Sequence, residues 1–347
     1  MTYNNPNING SNWSELNILE TLRKKNPLVI CITNDVVRTF TANGLLAIGA
    51  SPVMSECRED LKDLIVHASA LLINIGTVTP DKVTYYKEAI KLAKAYEVPI
   101  VLDPVGCHAG AYRLSVVLDL IKTDAISLLR GNQSEIKAIY DALNTNHKVN
   151  NSLSGKGVDG EQVEDSAIIT YRLARQINCP VVATGEEDYV SDGTRVFAVP
   201  HGHPIMTAVT GTGCLLGAVL AAFFSSYCPF MYNMSIGEFL AYALAYYGLA
   251  SESAVNVSGV KPGSFSMAFM DALYEFDDAM LLSENRIRPV VVPDQLKVYF
   301  ISGTQDVGFN ESHLLDIVEA ACRGGATCFQ FREKGIGTLE GQQKLEL

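Results

Sequence analysis

The chain has 347 residues, 48% hydrophobic and 19% charged, the composition of an ordinary globular protein with a substantial core. Its formal net charge of −11 speaks against a nucleic-acid partner, which needs a basic face, and no Lys/Arg run marks a local one. The longest apolar stretch, 214–224, falls short of the roughly 20 residues that span a bilayer, so no membrane role is expected. The eight cysteines are scattered without a C-x-x-C pair, and residues 1–15 are polar and Asn-rich with no basic start. Both point to a reduced, cytoplasmic protein without a signal peptide.

From residue 27 short β-branched runs alternate with stretches of helical periodicity. A strand is predicted at 28–32, a helix at 38–48, a strand at 70–75, a helix at 82–96 and a strand at 99–102. A strand at 125–129, a helix at 135–143, a helix at 166–177 and a strand at 180–183 follow. Two more apolar, core-facing helices are predicted at 215–225 and 236–254. The strands are continuously apolar, as in a parallel sheet buried on both faces, so the fold class is α/β with a mostly parallel central sheet between helices. Residues 286–296, with Pro289 and Pro293, read as a linker after a first domain of 1–285. Beyond it the pattern restarts: strand 298–302, helix 311–323, turn Gly324-Gly325 and strand 327–331. Residues 297–347 thus open with one βαβ unit.

Open α/β sheets bind ligands beyond the carboxyl ends of their strands. The five predicted strands are followed by Thr33-Asn34-Asp35, Gly76-Thr77, Asp103-Pro104-Val105-Gly106, Arg130-Gly131-Asn132 and Thr184-Gly185-Glu186. One such end is a turn; five in a row read as a cleft. Thr210-Gly211-Thr212-Gly213-Cys214 precedes an apolar helix, and exposed amides at a helix start, with the dipole, make an anion site. A lone Gly-x-Gly of this kind is equally a plain turn. Glu135, three residues after Asn132, has two readings: the second half of a capping box, or a carboxylate that organises Mg²⁺ beside phosphates. Asp103 is likewise a turn former or a metal and phosphate neighbour. No Walker-type loop is present, since Gly155-Lys156 lacks the upstream glycine and the following Ser/Thr. His201-Gly202-His203 has no carboxylate or Cys at ligand spacing and reads as structural.

Together these pieces resemble the ribokinase-like superfamily, and within it hydroxyethylthiazole kinase. The resemblance rests on 32–54, 102–106, 130–135, 202–207, 209–214 and 262–265, which span almost all of 27–275 in the family's order. It implies ATP-dependent phosphorylation of the hydroxyl of 5-(2-hydroxyethyl)-4-methylthiazole in thiamine salvage. Gly211, Thr212, Gly213 and Cys214 would form the catalytic anion hole, and Cys214 stands where most ribokinase-like enzymes carry an aspartate base. Met54 and Gly211 would contact the thiazole alcohol with Asn34 nearby, Arg130 and Thr184 would contact ATP, and Asp103 and Glu135 would hold the Mg²⁺ environment. A homotrimer with sites near subunit interfaces is expected. A helix start lowers a thiol's pKa and a nearby γ-phosphate raises it, so Cys214 is either a weak base or a positioning group. His108, bulky and titratable where the family carries small residues, either meets the nucleotide or points outward.

Two ribokinase-like alternatives stand beside this reading, a hydroxymethylpyrimidine kinase and an ATP-dependent nicotinamide-nucleotide repair dehydratase; Cys214 and the 34–54 stretch speak against both. Residues 298–334 resemble the opening of thiamine phosphate synthase, in which Gln330, Arg332 and Lys334 would bind a pyrophosphate. A (β/α)₈ barrel needs about 200 residues or more. Residues 297–347 are therefore expected to be an incomplete second domain, without activity of its own, of a bifunctional parent.

Overall fold

The computed structural model describes residues 17–144, 165–296, 299–308, 310–324, 326 and 328–332. Two compact units part between Val290 and Val291. The larger is built on a nine-stranded sheet: β1 (Leu28–Ile32), β2 (Ser51–Met54), β3 (Ala70–Asn74), β4 (Ile100–Asp103), β5 (Leu128–Asn132), β6 (Val181–Thr184), β7 (Asp188–Ser191), β8 (Val196–Val199) and β9 (Arg288–Val290). The spatial order is β2-β1-β3-β4-β5-β6-β7-β8-β9. The pairs from β2 to β6 are parallel, and β7, β8 and β9 continue the sheet antiparallel.

The helices are α1 (Ile18–Lys25), α2 (Arg38–Ile48), α3 (Leu61–Ile65), α4 (Pro80–Ala95), α5 (Ala111–Ile121), α6 (Gln133–Asn144), α7 (Ser166–Ile177), α8 (Thr212–Ser226), α9 (Pro229–Tyr232), α10 (Ile236–Ser258), α11 (Pro262–Glu275) and α12 (Asp278–Glu284). The two-residue period of a strand divides the sheet between two helical layers. Ile30, Ile32, Leu71, Ile73, Ile100, Leu102, Leu129, Val181 and Ala183 join one core with the buried faces of α4 to α7. The alternate positions look the other way, toward α8: the Leu72 side chain reaches Gly217, and α8 in turn packs on α2 and α10. Buried on nearly every side, α8 is apolar almost all round, as a helix between two layers must be. This is the α/β arrangement expected, a mostly parallel central sheet with helices on both faces.

Three features of the sheet differ from the sequence reading. The fifth strand along the chain is not 125–129 but Leu128–Asn132, so Arg130 lies within the ladder, opposite Val182, and not in a loop. Its charge cut the apolar run short in the sequence. β2, β7 and β8, each only four residues long, are too short for a two-residue period to stand out in the sequence. Finally, Arg288–Val290, inside the expected linker 286–296, is β9, because it hydrogen-bonds to β8.

In the smaller unit, β10 (Tyr299–Ser302) and β11 (Cys328–Phe331) pair in parallel around helix α13 (Glu311–Arg323), the βαβ unit expected. Gly155-Lys156, Lys334 and the side chain of Gln330 lie outside the described residues. Among the described residues no helix is long and apolar enough to cross a membrane.

Candidate active site

The strand period carries chemistry at the carboxyl ends. Asn74 follows Leu72, Asp103 follows Val101, Arg130 follows Leu128 and Thr184 follows Val182 at intervals of two, so all four side chains project from the α8 side of the sheet. Helix α8 makes room for them. A Cβ added at Gly213 would stand 3.6 Å from both terminal nitrogens of Arg130, and one at Gly217 would stand 3.2 Å from Asp103 Oδ2. Gly213 and Gly217, four residues apart on one helical face, leave the space that the arginine and the aspartate occupy.

The start of α8 is tightly fixed. Gly211 caps it with φ +100°, a left-handed value that favours glycine. Thr212 Oγ1 donates to the carbonyl of Met206 (2.9 Å), and the Tyr247 hydroxyl donates to that of Thr212 (2.6 Å). The first intrahelical bond from beyond the turn runs from Leu215 N to Gly211 O (2.8 Å). Helix geometry leaves the amides of Gly213 and Cys214 without intrahelical acceptors, aimed out of the helix end beside the Arg130 guanidinium. Amides, dipole and guanidinium together put positive potential at this end of α8, an arrangement suited to an anion.

Around it lies a buried polar network. Arg130 Nη1 is 3.5 Å from Asp103 Oδ1, and Arg130 Nη2 donates to Thr184 Oγ1 (2.9 Å). Asn74 Nδ2 donates to Asp103 Oδ2 (2.7 Å), Asn34 Nδ2 donates to Asn74 Oδ1 (3.0 Å), and Asn34 Nδ2 also donates to Cys214 Sγ (3.3 Å). Glu135 fulfils the capping-box reading: Oε2 accepts from Asn132 N (2.7 Å) while Asn132 Oδ1 accepts from Glu135 N (2.8 Å). Its other oxygen accepts from Gly106 N (2.7 Å), which ties the loop after β4 to α6.

Burial dominates the protonation equilibria here. It pushes Asp103 up to about 6 against the opposing pull of Arg130 and Asn74. Burial, with the Asp103 charge, pushes Glu135 up to about 7, and burial lifts the Cys214 thiol to about 11. Asp188, at the start of β7, is a further carboxylate, half-buried and raised to about 7 by desolvation, whose Oδ1 accepts from Gly185 N (3.0 Å).

The hydroxyethylthiazole kinase family profile matches residues 19–279. The chain belongs to the hydroxyethylthiazole kinase family. A hydroxyethylthiazole kinase of Streptococcus agalactiae serotype Ia is 48% identical over 267 residues, 77% of this chain and 99% of that one. Hydroxyethylthiazole kinase 1 of Streptococcus pneumoniae strain CGSP14 is 42% identical over 274 residues, covering 78% and 99%. The solved structure of the hydroxyethylthiazole kinase protein from Pyrococcus horikoshii OT3 superposes with a TM-score of 0.69 at 35% identity, over 79% of this chain and 98% of that one. Membership makes the chain an enzyme, a phosphotransferase of thiamine biosynthesis.

The structure brings together Asn34, Asp103, Arg130, Glu135, Thr184 and the Gly211 to Cys214 turn, six separate pieces of sequence at one end of the sheet. Met54 stands apart from that network. It ends the edge strand β2, beside Cys31 in the register and half-buried. His108 is buried, so the outward-pointing reading is wrong. His201 Nδ1 faces Glu252 (3.2 Å) and its Nε2 accepts from Arg286 N (2.9 Å), a structural role; among the described residues no group of His, Cys, Asp or Glu could hold a metal ion by itself. Two residues escaped the sequence reading. Asn74 sat inside a run read as plain strand, and Asp188 lies just past the glycine turn after β6. For Asn74 the available signal was an amide ending an apolar strand, in register with Asp103.

Proposed function

We propose that the chain transfers the γ-phosphoryl group of ATP to the hydroxyl of 5-(2-hydroxyethyl)-4-methylthiazole. The observation that carries this reading is the Arg130 guanidinium set against the open amides of the α8 start, with Asp103 paired behind it. Arg130 and the amides of Gly213 and Cys214 receive the charge that spreads over the transferred group's oxygens, while Thr184 holds the guanidinium in orientation. Asn34 and Cys214 stand at the hydroxyl end of the thiazole alcohol, and Met54 lines its ring beyond β2.

Mg²⁺ fits the residues present. Asp103 Oδ1 is buried without a hydrogen-bond partner, and each Glu135 oxygen takes one backbone N–H and keeps a second lone pair. These are hard oxygen donors for an ion that keeps waters and phosphate oxygens as its other ligands, and bound there it neutralises charge on the nucleotide phosphates. The Cys214 thiol keeps its proton at neutral pH, so it positions the hydroxyl instead of deprotonating it. Positioning and charge stabilisation supply most of phosphoryl transfer.

The reading extends to a cytoplasmic homotrimer. Edge strand β2, half-buried Met54 and exposed Val36 and Leu46 support a second copy covering that side of the sheet. The βαβ unit of β10, α13 and β11 supports reading the C-terminal unit as part of a thiamine phosphate synthase-like domain. The test is ADP release from ATP and Mg²⁺ with the thiazole alcohol, alongside hydroxymethylpyrimidine and hydrated NADH. Thiazole-dependent ADP is expected; its absence overturns the proposal.

A further inference from the structure

Beyond the carboxyl end of β6 the chain runs Thr184-Gly185-Glu186-Glu187-Asp188, with three acidic side chains in a row after the residue that orients Arg130. Gln133, at the start of α6, closes over this turn from one side. A Cβ added at Gly185 would collide with the Gln133 side-chain amide, whose Nε2 donates to the Glu187 carbonyl (2.9 Å). The Glu187 carboxylate is gripped from another side. Arg288 Nη2, reaching in from β9, donates to both of its oxygens, Oε1 at 2.6 Å and Oε2 at 2.7 Å, and the Tyr189 hydroxyl donates to Oε2 (2.7 Å). The register accounts for this meeting: Tyr189 on β7 lies opposite Ala198 on β8, and Ala198 lies opposite Arg288. Residues directly opposite in an antiparallel ladder share a face, so Tyr189 and Arg288 project on the same side of the sheet. The other two acids are placed differently. Asp188 Oδ1 accepts from Gly185 N (3.0 Å), and Glu186 is exposed. Glu187 follows Thr184 by three residues, which puts their backbones within about 11 Å of each other. That is close to the Debye length of about 10 Å at 0.1 M salt, so an unpaired Glu187 charge would act on a polyphosphate held beside Arg130 and Thr184.

We propose that Arg288 is a positioning residue for the nucleotide, acting through Glu187. It cancels and anchors the Glu187 charge, so that the acidic turn after β6 can border a polyphosphate. This deepens the proposed phosphoryl transfer and rests on it for the identity of the anion. The pair is partly exposed and adds little to the stability of the fold, so its effect falls on the affinity for the nucleotide.

The test uses the full chain with Arg288→Gln, which removes the charge and leaves the backbone pairing of β9 intact. At about 50 mM salt KM for ATP is expected to rise about threefold to tenfold, with kcat and KM for the thiazole alcohol within about twofold of wild type. The dissociation constant of ADP with Mg²⁺, measured by calorimetry, should rise by a similar factor without any phosphoryl transfer. Two readouts separate this from a structural defect. Adding Glu187→Gln to Arg288→Gln removes the stranded charge and should return the ADP constant to within about twofold of wild type, whereas two independent lesions would add. Raising the salt to about 0.5 M should shrink the Arg288→Gln defect to less than about twofold, because the repulsion is screened. If Arg288→Gln does not fold, as judged by a thermal melt, Arg288→Met serves every arm. An unchanged ADP constant, or a defect that persists in the double variant or at high salt, overturns the proposal. If the wild type binds ADP but yields no thiazole-dependent ADP, the substrate reading falls and calorimetry alone decides the role of Arg288. A wild type that binds no ADP overturns both.

Discussion

Gly213→Ala separates the site from the fold. The added methyl meets the two terminal Arg130 nitrogens at 3.6 Å, an ordinary contact distance, so the empty site has room for it. Gly213 lies in the first turn of α8 and has no positive φ, and replacing a helical glycine by alanine gains about 0.5–1 kcal/mol. For a domain of this size that raises Tm by about 1–4 °C. The same methyl stands between the helix amides and the guanidinium, where the transferred phosphoryl oxygen must sit. Losing one such donor to a developing oxyanion costs about 100-fold or more in rate, so kcat/KM for ATP should fall by that order. Coupled ADP release and a thermal melt measure both sides. Wild-type kcat/KM in a folded Gly213→Ala protein would place the phosphate elsewhere and sink the anion-hole reading. A Tm lowered by several degrees would show that the space is already filled. Gly217→Ala is the contrast: its methyl would crowd Asp103 Oδ2 at 3.2 Å and Leu72 Cδ1 at 3.3 Å, and overpacking of that kind costs about 1–3 kcal/mol.

Other expectations follow from the same geometry. If the thiol positions the hydroxyl and keeps its proton, as proposed, Cys214→Ala should slow turnover without abolishing it; an unchanged kcat removes Cys214 from the mechanism. Asp188 has a folded pKa near 7, above its usual value of 3.8, so its contribution favours the fold at low pH and is lost as pH rises from about 4 to 7. Asp188→Asn, which can still accept from Gly185 N, should therefore gain stability over wild type at pH 8 relative to pH 5 in urea titrations; parallel curves would contradict this. His201 runs the other way. Burial holds its pKa below 6.5 and Nε2 accepts from Arg286 N, so its contribution is present above pH 6.5 and fades as pH falls. His201→Asn should flatten the acid limb of the Tm profile, and an unaltered limb counts against a neutral His201.

The cleft was legible because its pieces sit at strand ends, where a two-residue period and a glycine-rich break are visible in one dimension. Asp103 stood out for that reason, ending an apolar run before Pro104. Arg130 was legible as chemistry but misplaced, because a buried arginine inside a strand interrupts the very run by which the strand is recognised. Its partner in the register, Val182, and the glycines that accommodate it lie on other elements, which no local pattern can report. Asn74 was missed for a related reason: its side-chain partners across the site, Asn34 and Asp103, lie 40 and 29 positions away. The β7–β8 hairpin did carry a signal, the Asp192-Gly193 turn with Gly193 at φ +82°, but four-residue strands offer little periodicity around it. Met54 is a different case, since a residue on an edge strand is completed by whatever covers that edge.

Because Arg288–Val290 hydrogen-bonds to β8, the phosphotransferase sheet closes on residues that directly precede the second unit. A shortened chain that stops at 285 would strip a strand from the sheet and leave the β8 backbone as a raw edge, open to pairing with other chains. One that stops just after Val290 keeps the sheet whole. Where a gene is trimmed, or a protease acts between the two units, the safe cut lies a few residues further along than proline content alone suggests.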